Sequence, residues 1–259
     1  MEPTVFQGRY QVVKKTALAK EIYEMVILCP QIAQLAQAGQ FVHVKAPSFT
    51  LRRPISICEI DRAKGTLRIV FEVRGDGTAE IAQIPQGGWI DLMGPLGHGF
   101  QLLEQGKKAI VVGGGIGVPP MLETAAHYGE NAVAIIGFRS ASAVILEEDF
   151  QKAGCTVDLC TDDGTRGRKG FVTEALKARL QQEKPDIIYA CGPMVLLKGV
   201  AALAKEYGVR CQVSLEERMG CGIGACLVCA CKTKKPDGEE SYSHVCKNGP
   251  VFEAEEVVF

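Results

Sequence analysis

No apolar run in this 259-residue chain approaches the roughly 20 residues that a helix needs to cross a bilayer, because Gly and Pro break the longest candidates. No membrane span is therefore expected. The opening MEPTVFQGRYQVV also lacks the basic n-region and apolar h-region of a signal peptide, so a cytoplasmic protein is expected. A net charge of −1 leaves no broad electrostatic footprint for nucleic acid or an anionic membrane. The chain has no internal repeat and no low-complexity tract. None of its four histidines, His43, His98, His127 and His244, sits near a nucleophile or a metal partner in the sequence. No acid–base dyad is recognisable, and no catalytic side chain is assigned.

What the chain does have is the material for a core. It is 47% hydrophobic and 23% charged, enough for one large domain or two of ordinary size. Its first hundred residues read as short strands rich in Val, Ile, Phe and Tyr: 9–15, 21–28, 40–46, 53–60, 66–74 and 88–93. Clusters of Gly, Pro, Asp and Lys separate them, which suggests a small antiparallel barrel. Near residue 105 the pattern changes to buried strands at 109–112, 132–138, 156–160 and 186–190, with helices between them. Thr173 is placed to cap the helix over 173–182. Leu196, Val200, Leu203 and Tyr207 share one side of a helix over 194–207, and Gly208 is placed to end it. Alternating β and α predicts a parallel, doubly wound sheet. From about 216 the chain is short, rich in Cys and Gly, and weakly periodic; it needs a metal or a neighbour to be stable. The expected division is 1–104, 105–215 and 216–259.

Eleven cysteines in a cytosolic chain argue against disulfides. Cys29, Cys58, Cys155, Cys160, Cys191 and Cys211 lie among apolar neighbours and read as small buried hydrophobes. The tail is different. Cys221, Cys226 and Cys229 are spaced C-x4-C-x2-C, and Cys246 follows after sixteen residues, the plant-type spacing for a [2Fe–2S] cluster. Gly220, Gly222, Gly224 and Ala225 let the backbone close tightly on an anionic centre. A structural zinc would more often show paired C-x2-C knuckles. A redox pair of Cys226 and Cys229 would leave Cys221 and Cys246 idle. Cys231 reads as a packing thiol.

Other motifs are open to two readings. GGGIGVPP (113–120) ends a buried strand and opens a helix, so Gly113, Gly114, Gly115 and Gly117 can admit a pyrophosphate to the helix N-terminus. The third glycine of the dinucleotide fingerprint is missing, no acidic residue follows the next strand, and a tight βα turn explains the same residues. Cys191, Gly192 and Pro193, in CGPM, lie at the same carboxyl edge of the sheet, or simply end a strand. Arg53 in RRPIS (52–56) can grip a phosphate and Ser56 can donate to a ring nitrogen, or the segment is an ordinary edge strand. EVRGDGT (72–78) can cradle a pyrophosphate or make a hairpin turn. The sequence does not choose between NAD and NADP.

Taken together, RPxS, G-x-G-T, GGGIG and CGP resemble the ferredoxin–NADP reductase superfamily. ERMGCGIGACLVCAC (217–231), HVCKNGPVF (244–252) and TDDGTRGRKGFVTEAL (161–176) are similar to the electron-transfer subunits of NAD-dependent class 1B dihydroorotate dehydrogenases. That resemblance implies an FAD-binding barrel over 1–104, an NAD-binding domain over 105–215 and a cluster region over 216–259. It implies that Arg53, Pro54, Ile55, Ser56, Val70, Phe71, Glu72, Gly77 and Thr78 contact FAD. It places the cluster on Cys221, Cys226, Cys229 and Cys246. It further implies an FMN-containing dihydroorotate dehydrogenase catalytic subunit as partner, in a heterotetramer of two catalytic and two electron-transfer chains. Small subunits of hydrogenases, or of NADH-dependent ferredoxin:NADP oxidoreductase complexes, share these parts. A zinc-stabilised nucleotide-binding regulator is the non-enzymatic alternative.

Overall fold

The structure, a computed structural model, describes residues 5–235 and 237–259. The first four residues of the opening stretch read above, and Pro236, lie outside it. The chain divides into two compact units. One comprises the chain up to Gly99 with Glu216–Cys231 and Ser243–Pro250; the other comprises Phe100–Leu215, Lys232–Tyr242 and Val251–Phe259.

The first unit is built on six strands that coincide with the expected Val-, Ile-, Phe- and Tyr-rich segments: β1 (Phe6–Ala19), β2 (Ile22–Leu28), β3 (Phe41–Lys45), β4 (Arg52–Asp61), β5 (Thr66–Glu72) and β6 (Trp89–Leu96). They close into a barrel in the order β1-β2-β5-β4-β3-β6, every pairing antiparallel. Closure removes the exposed edges that a six-stranded open sheet would carry. Met25, Ile27, Val42, Val44, Ile55, Ile57, Leu67, Ile69, Phe71, Ile90 and Leu92 fill the interior, each worth about 1.5–3 kcal/mol when fully buried. Glu24 is buried too, and is held by Lys14 and Arg68. Two short helices, α1 (Pro30–Leu35) and α2 (Asp76–Gln83), accompany the barrel. The second of these replaces the hairpin turn that G-x-G-T left open.

The second unit begins with β7 (Ala109–Gly114), buried along its whole length, as a central parallel strand must be. It continues through α3 (Met121–Tyr128), β8 (Ala132–Phe138), α4 (Glu147–Lys152), β9 (Thr156–Thr161), β10 (Arg168–Lys169), α5 (Val172–Gln182), β11 (Ile187–Cys191), α6 (Met194–Tyr207) and β12 (Arg210–Ser214). After the two-stranded sheet of β13 (Ala230–Lys234) and β14 (Glu240–His244), β15 (Val251–Glu253) completes a sheet ordered β10-β9-β8-β7-β11-β12-β15. All its pairings are parallel except β12 with β15.

Two details of the helices differ from expectation. Helix α5 starts at Val172 after an extended Phe171, with no side-chain cap; Thr173 lies inside the first turn, and its methyl faces Gly199 of α6. The buried stripe of α6 is Leu197, Val200 and Ala204, one position round from the stripe through Leu196, because the Leu pair at 196 and 197 straddles the buried face. Gly208 ends α6 in the left-handed conformation at φ 62, as the sequence indicates, and Gly129 ends α3 at φ 55.

Candidate functional site

Arg53 lies near the start of β4, beside the first turn of α2. A Cβ on Gly77 would sit 2.5 Å from Arg53 Nε, so the guanidinium rests directly on the glycine backbone. Arg53 Nη1 donates to the Leu51 carbonyl at 2.6 Å, and the guanidinium stacks 5.0 Å from the Phe49 ring centroid. Thr78 Oγ1 accepts the N–H of Arg74 at 2.9 Å and of Gly75 at 3.3 Å. Its own hydroxyl donates to the Gly75 carbonyl at 2.9 Å. These bonds shape the entry to α2, whose first N–H groups lack intrahelical partners. A fixed cation beside such N–H groups, over a residue without a side chain, is an arrangement that can accept a phosphate.

The rest of the barrel set divides by face. Ile55 and Phe71 belong to the barrel core, which leaves their backbone for a ligand. Pro54 is exposed and Ser56 half-buried on the outer face. Val70 is buried outside the core cluster, and Glu72 pairs with Arg74 at 2.6 Å.

In the second unit, β7 has β8 on one side and β11 on the other, so the strand order reverses there. That reversal is the crevice in which open α/β sheets bind ligands. Register sets Gly113 opposite Cys191, which brings both predicted loops to this point. A Cβ at Gly113 would lie 2.8 Å from Val118 Cα. One at Gly117 would lie 2.6 Å from the Cys191 carbonyl oxygen and 2.7 Å from Gly192 Cα. Gly114 is covered by Leu196 and Pro193, whereas Gly115 turns at φ 55 with open space where its Cβ would be. The glycines thus serve backbone-to-backbone packing at 113 and 117, and an open turn at 115. The helix that follows has Pro120 as its N-cap residue.

The four tail cysteines all belong to the first unit. The N–H groups of Ile223, Ala225 and Cys226 donate to Cys221 Sγ at 3.4, 3.2 and 3.4 Å. Cys226 Sγ accepts from Cys221 N–H at 3.3 Å. Gly224 N–H donates to Cys246 Sγ at 3.1 Å, and Cys246 N–H to Cys229 Sγ at 3.4 Å. Gly222 and Gly224 adopt φ 75 and 83, a region that L side chains avoid, and this curls the amides toward sulfur. Burial opposes ionisation of Cys221, yet the surrounding N–H groups hold its thiol down at about 6. Burial, and then the neighbouring Cys229, push Cys246 up to about 12; a cation is what would relieve this pair. The Sγ atoms of Cys229 and Cys246 lie 3.2 Å apart.

The cysteines therefore come as two pairs, Cys221 with Cys226 and Cys229 with Cys246. Among the described residues, no three His, Cys, Asp or Glu side chains converge on one metal position. Two thiolates per metal suit a two-iron cluster rather than a single four-ligand zinc. Cys231 instead donates to the Ser243 carbonyl at 3.5 Å. The loop rim carries Ile223, Leu227 and Val228, each more than half exposed. Among the described residues no cysteine forms a disulfide.

One buried polar residue escaped the sequence reading. His43, in the middle of β3, is fully buried beside the cluster loop. Burial and then Arg52 push its imidazole down to about 4. The signal in the sequence is a histidine flanked by two valines in a barrel strand.

A closed antiparallel barrel, a doubly wound sheet with two glycine loops at its switch point, and a loop of paired cysteines define a ferredoxin-reductase-like oxidoreductase. Among solved structures, the chain superposes on the NADH-dependent reduced ferredoxin–NADP oxidoreductase studied for flavin-based electron bifurcation. The TM-score is 0.84 at 29% identity, over 96% of this chain and 89% of that one. Phthalate dioxygenase reductase shares the fold at a TM-score of 0.62 and 19% identity, over 93% of this chain and 77% of that one.

Residues 216–258 match the iron–sulfur cluster binding domain of dihydroorotate dehydrogenase B. The chain is 42% identical over 255 residues to the dihydroorotate dehydrogenase B (NAD(+)) electron transfer subunit of Bacillus cereus (strain B4264), covering 95% of this chain and 96% of that protein. The subunit of Bacillus mycoides (strain KBAB4) is 43% identical with the same coverage. The chain belongs to the family of dihydroorotate dehydrogenase B electron transfer subunits.

Proposed function

We propose that this chain links dihydroorotate oxidation to NAD+ in the de novo synthesis of UMP, with the dihydroorotate site housed in an FMN-containing catalytic partner subunit. The observation that carries this reading is the pairing of the four cysteines within a chain related to these subunits along nearly its whole length. The bound [2Fe–2S] cluster and FAD would supply the one-electron and two-electron chemistry by which electrons taken from dihydroorotate reach NAD+.

The chain's own residues bind and orient. Residues 1–104 hold FAD: Arg53, the α2 N-terminus, Gly77 and Thr78 take its phosphates, and the outer face of β4 at Pro54 and Ser56 takes its ring, with backbone from Ile55, Val70, Phe71 and Glu72. Residues 105–215 hold the nicotinamide nucleotide at Gly113, Gly114, Gly115, Gly117, Cys191, Gly192 and Pro193. Residues 216–259 hold the cluster through Cys221, Cys226, Cys229 and Cys246. No side-chain acid or base is needed for exchange between flavin and nicotinamide. Because one-electron transfer needs closeness, the apolar rim of Ile223, Leu227 and Val228 is the surface that meets the partner. The assembly is a cytoplasmic heterotetramer of two catalytic and two electron-transfer chains. Among the described residues, no helix is long and apolar enough to cross a membrane.

The structural likeness to the ferredoxin–NADP oxidoreductase fits the alternative of a ferredoxin-linked complex. The higher identity to the dihydroorotate dehydrogenase subunits favours the first reading. Reconstitution separates the two. With the FMN subunit, dihydroorotate should reduce NAD+; the chain alone should yield no NADH, and robust turnover by it alone would refute the division of labour.

A further inference from the structure

His43 is flanked by Val42 and Val44, both in the barrel core. Alternation along β3 therefore turns His43 to the outer face, where a barrel residue would ordinarily meet water. Here the cluster loop covers it. A Cβ on Gly222 would lie 2.6 Å from His43 Nδ1 and 3.2 Å from its Cε1, so the backbone next to Cys221 rests on the imidazole edge. Gly222 is thus required twice: for its φ of 75 and for this contact.

The register gives His43 a second neighbour. It stands directly opposite Pro54 on β4, and Phe41 stands opposite Ser56. Opposed residues in an antiparallel pair share a face, with Cβ atoms about 4.5–5.5 Å apart. One side chain therefore spans from the strand assigned to the flavin ring to the loop assigned to the cluster.

The ring is also unpaid for. Neither Nδ1 nor Nε2 makes a well-formed hydrogen bond among the described residues; the backbone carbonyls of Arg52 and Cys221 are the acceptors beside the ring. A neutral imidazole carries one N–H, and burying it without a well-formed hydrogen bond is unfavourable. Leucine or phenylalanine would fill the space without that cost. Nδ1 is the nitrogen on the cluster-loop side, and the acceptors that a bound cluster would add to this loop are sulfur atoms.

We propose that His43 donates its imidazole N–H to a sulfur of the cluster held by Cys221, Cys226, Cys229 and Cys246, and thereby raises the cluster's reduction potential. The inference rests on the cluster assignment made above. A donor to cluster sulfur stabilises the more negative, reduced state, so its removal shifts the one-electron equilibrium toward the oxidised form.

The test is a redox titration, followed by EPR at fixed pH, of the complex purified with its catalytic subunit. Wild type is compared with His43→Leu, which fills the space without a donor, and His43→Asn, which restores an N–H near Nδ1. In His43→Leu the cluster equilibrium should shift about tenfold toward the oxidised state, or about 59 mV for one electron. His43→Asn should recover most of that shift, and FAD content should stay unchanged. An unmoved potential in a fully iron-loaded His43→Leu, or equal shifts in both variants, overturns the proposal.

If His43→Leu cannot hold iron, wild type with 15N-labelled histidine decides. Pulsed EPR of the reduced cluster should show a 15N coupling that disappears in His43→Asn; its absence in wild type, or its persistence in the variant, overturns the proposal. A wild type without iron would refute the cluster assignment itself, whereas a loaded wild type with an unmoved potential refutes only the role of His43.

Discussion

Replacing Arg53 with alanine should weaken FAD binding about 10- to 150-fold. A hydrogen bond to a charged group contributes about 1.5–3 kcal/mol, and each 1.4 kcal/mol is about a factor of ten in Kd. The structure supplies an independent route to the same loss. The Cβ of Gly77→Ala would lie 2.5 Å from Arg53 Nε, well inside ordinary contact, and must displace the guanidinium from the α2 N-terminus. If both substitutions act through the same cation, their effects cannot add: the double variant Arg53→Ala/Gly77→Ala should bind FAD no more weakly than Arg53→Ala alone. Arg53→Lys keeps a charge but loses the fork, and should fall between wild type and alanine. The assay is titration of deflavinated protein with FAD, read by quenching of flavin fluorescence. A Kd for Arg53→Ala within threefold of wild type would refute the phosphate role. Additive losses in the double variant would refute the coupling of Gly77 to Arg53.

Cys226→Ser should lose its iron while Cys231→Ser keeps a full complement; iron retained in the first, or lost from the second, would overturn the ligand assignment. Gly117→Ala pushes a methyl against the Cys191 carbonyl oxygen, and displacement by about 1 Å can lower rates about 100-fold. Flavin reduction by NADH should accordingly fall roughly 10- to 100-fold with FAD and iron unchanged, and an unaltered rate would return the GGGIG loop to a structural turn. Leu227→Asp with Val228→Asp should weaken association with the catalytic subunit more than about tenfold while iron content holds; unchanged co-purification would place the interface elsewhere.

The six barrel strands were legible because Val, Ile, Phe and Tyr, which suit a half-buried pleated surface, crowd into short segments between Gly, Pro, Asp and Lys clusters. Strand β7 was legible because it is buried on both faces. Strands β12 and β15 were not: RCQVS and VFE are too short to carry a period, and pairing within the sheet defines them. Helix α2 was missed because DGTAEIAQ opens on Asp and Gly, whose local preference is for turns; the helix is fixed by burial of Ile81 and Ala82 against the barrel. The iron–sulfur region was legible because three of its cysteines are close in sequence, at a spacing that is itself the motif. His43 was not, since its partners, Gly222 and Pro54, are brought to it only by the fold. The glycine loops were half legible. Their residues suggested a nucleotide, but the argument that they flank the reversal of strand order between β7 and β11 needs the topology.

The most direct test of the account is to purify the protein without oxygen, count iron, sulfide and FAD per chain, and record an EPR spectrum after dithionite. Two irons, two sulfides and one FAD per chain are expected, with a reduced-cluster signal. A pale protein carrying zinc, or one that stays EPR-silent on reduction, would contradict it.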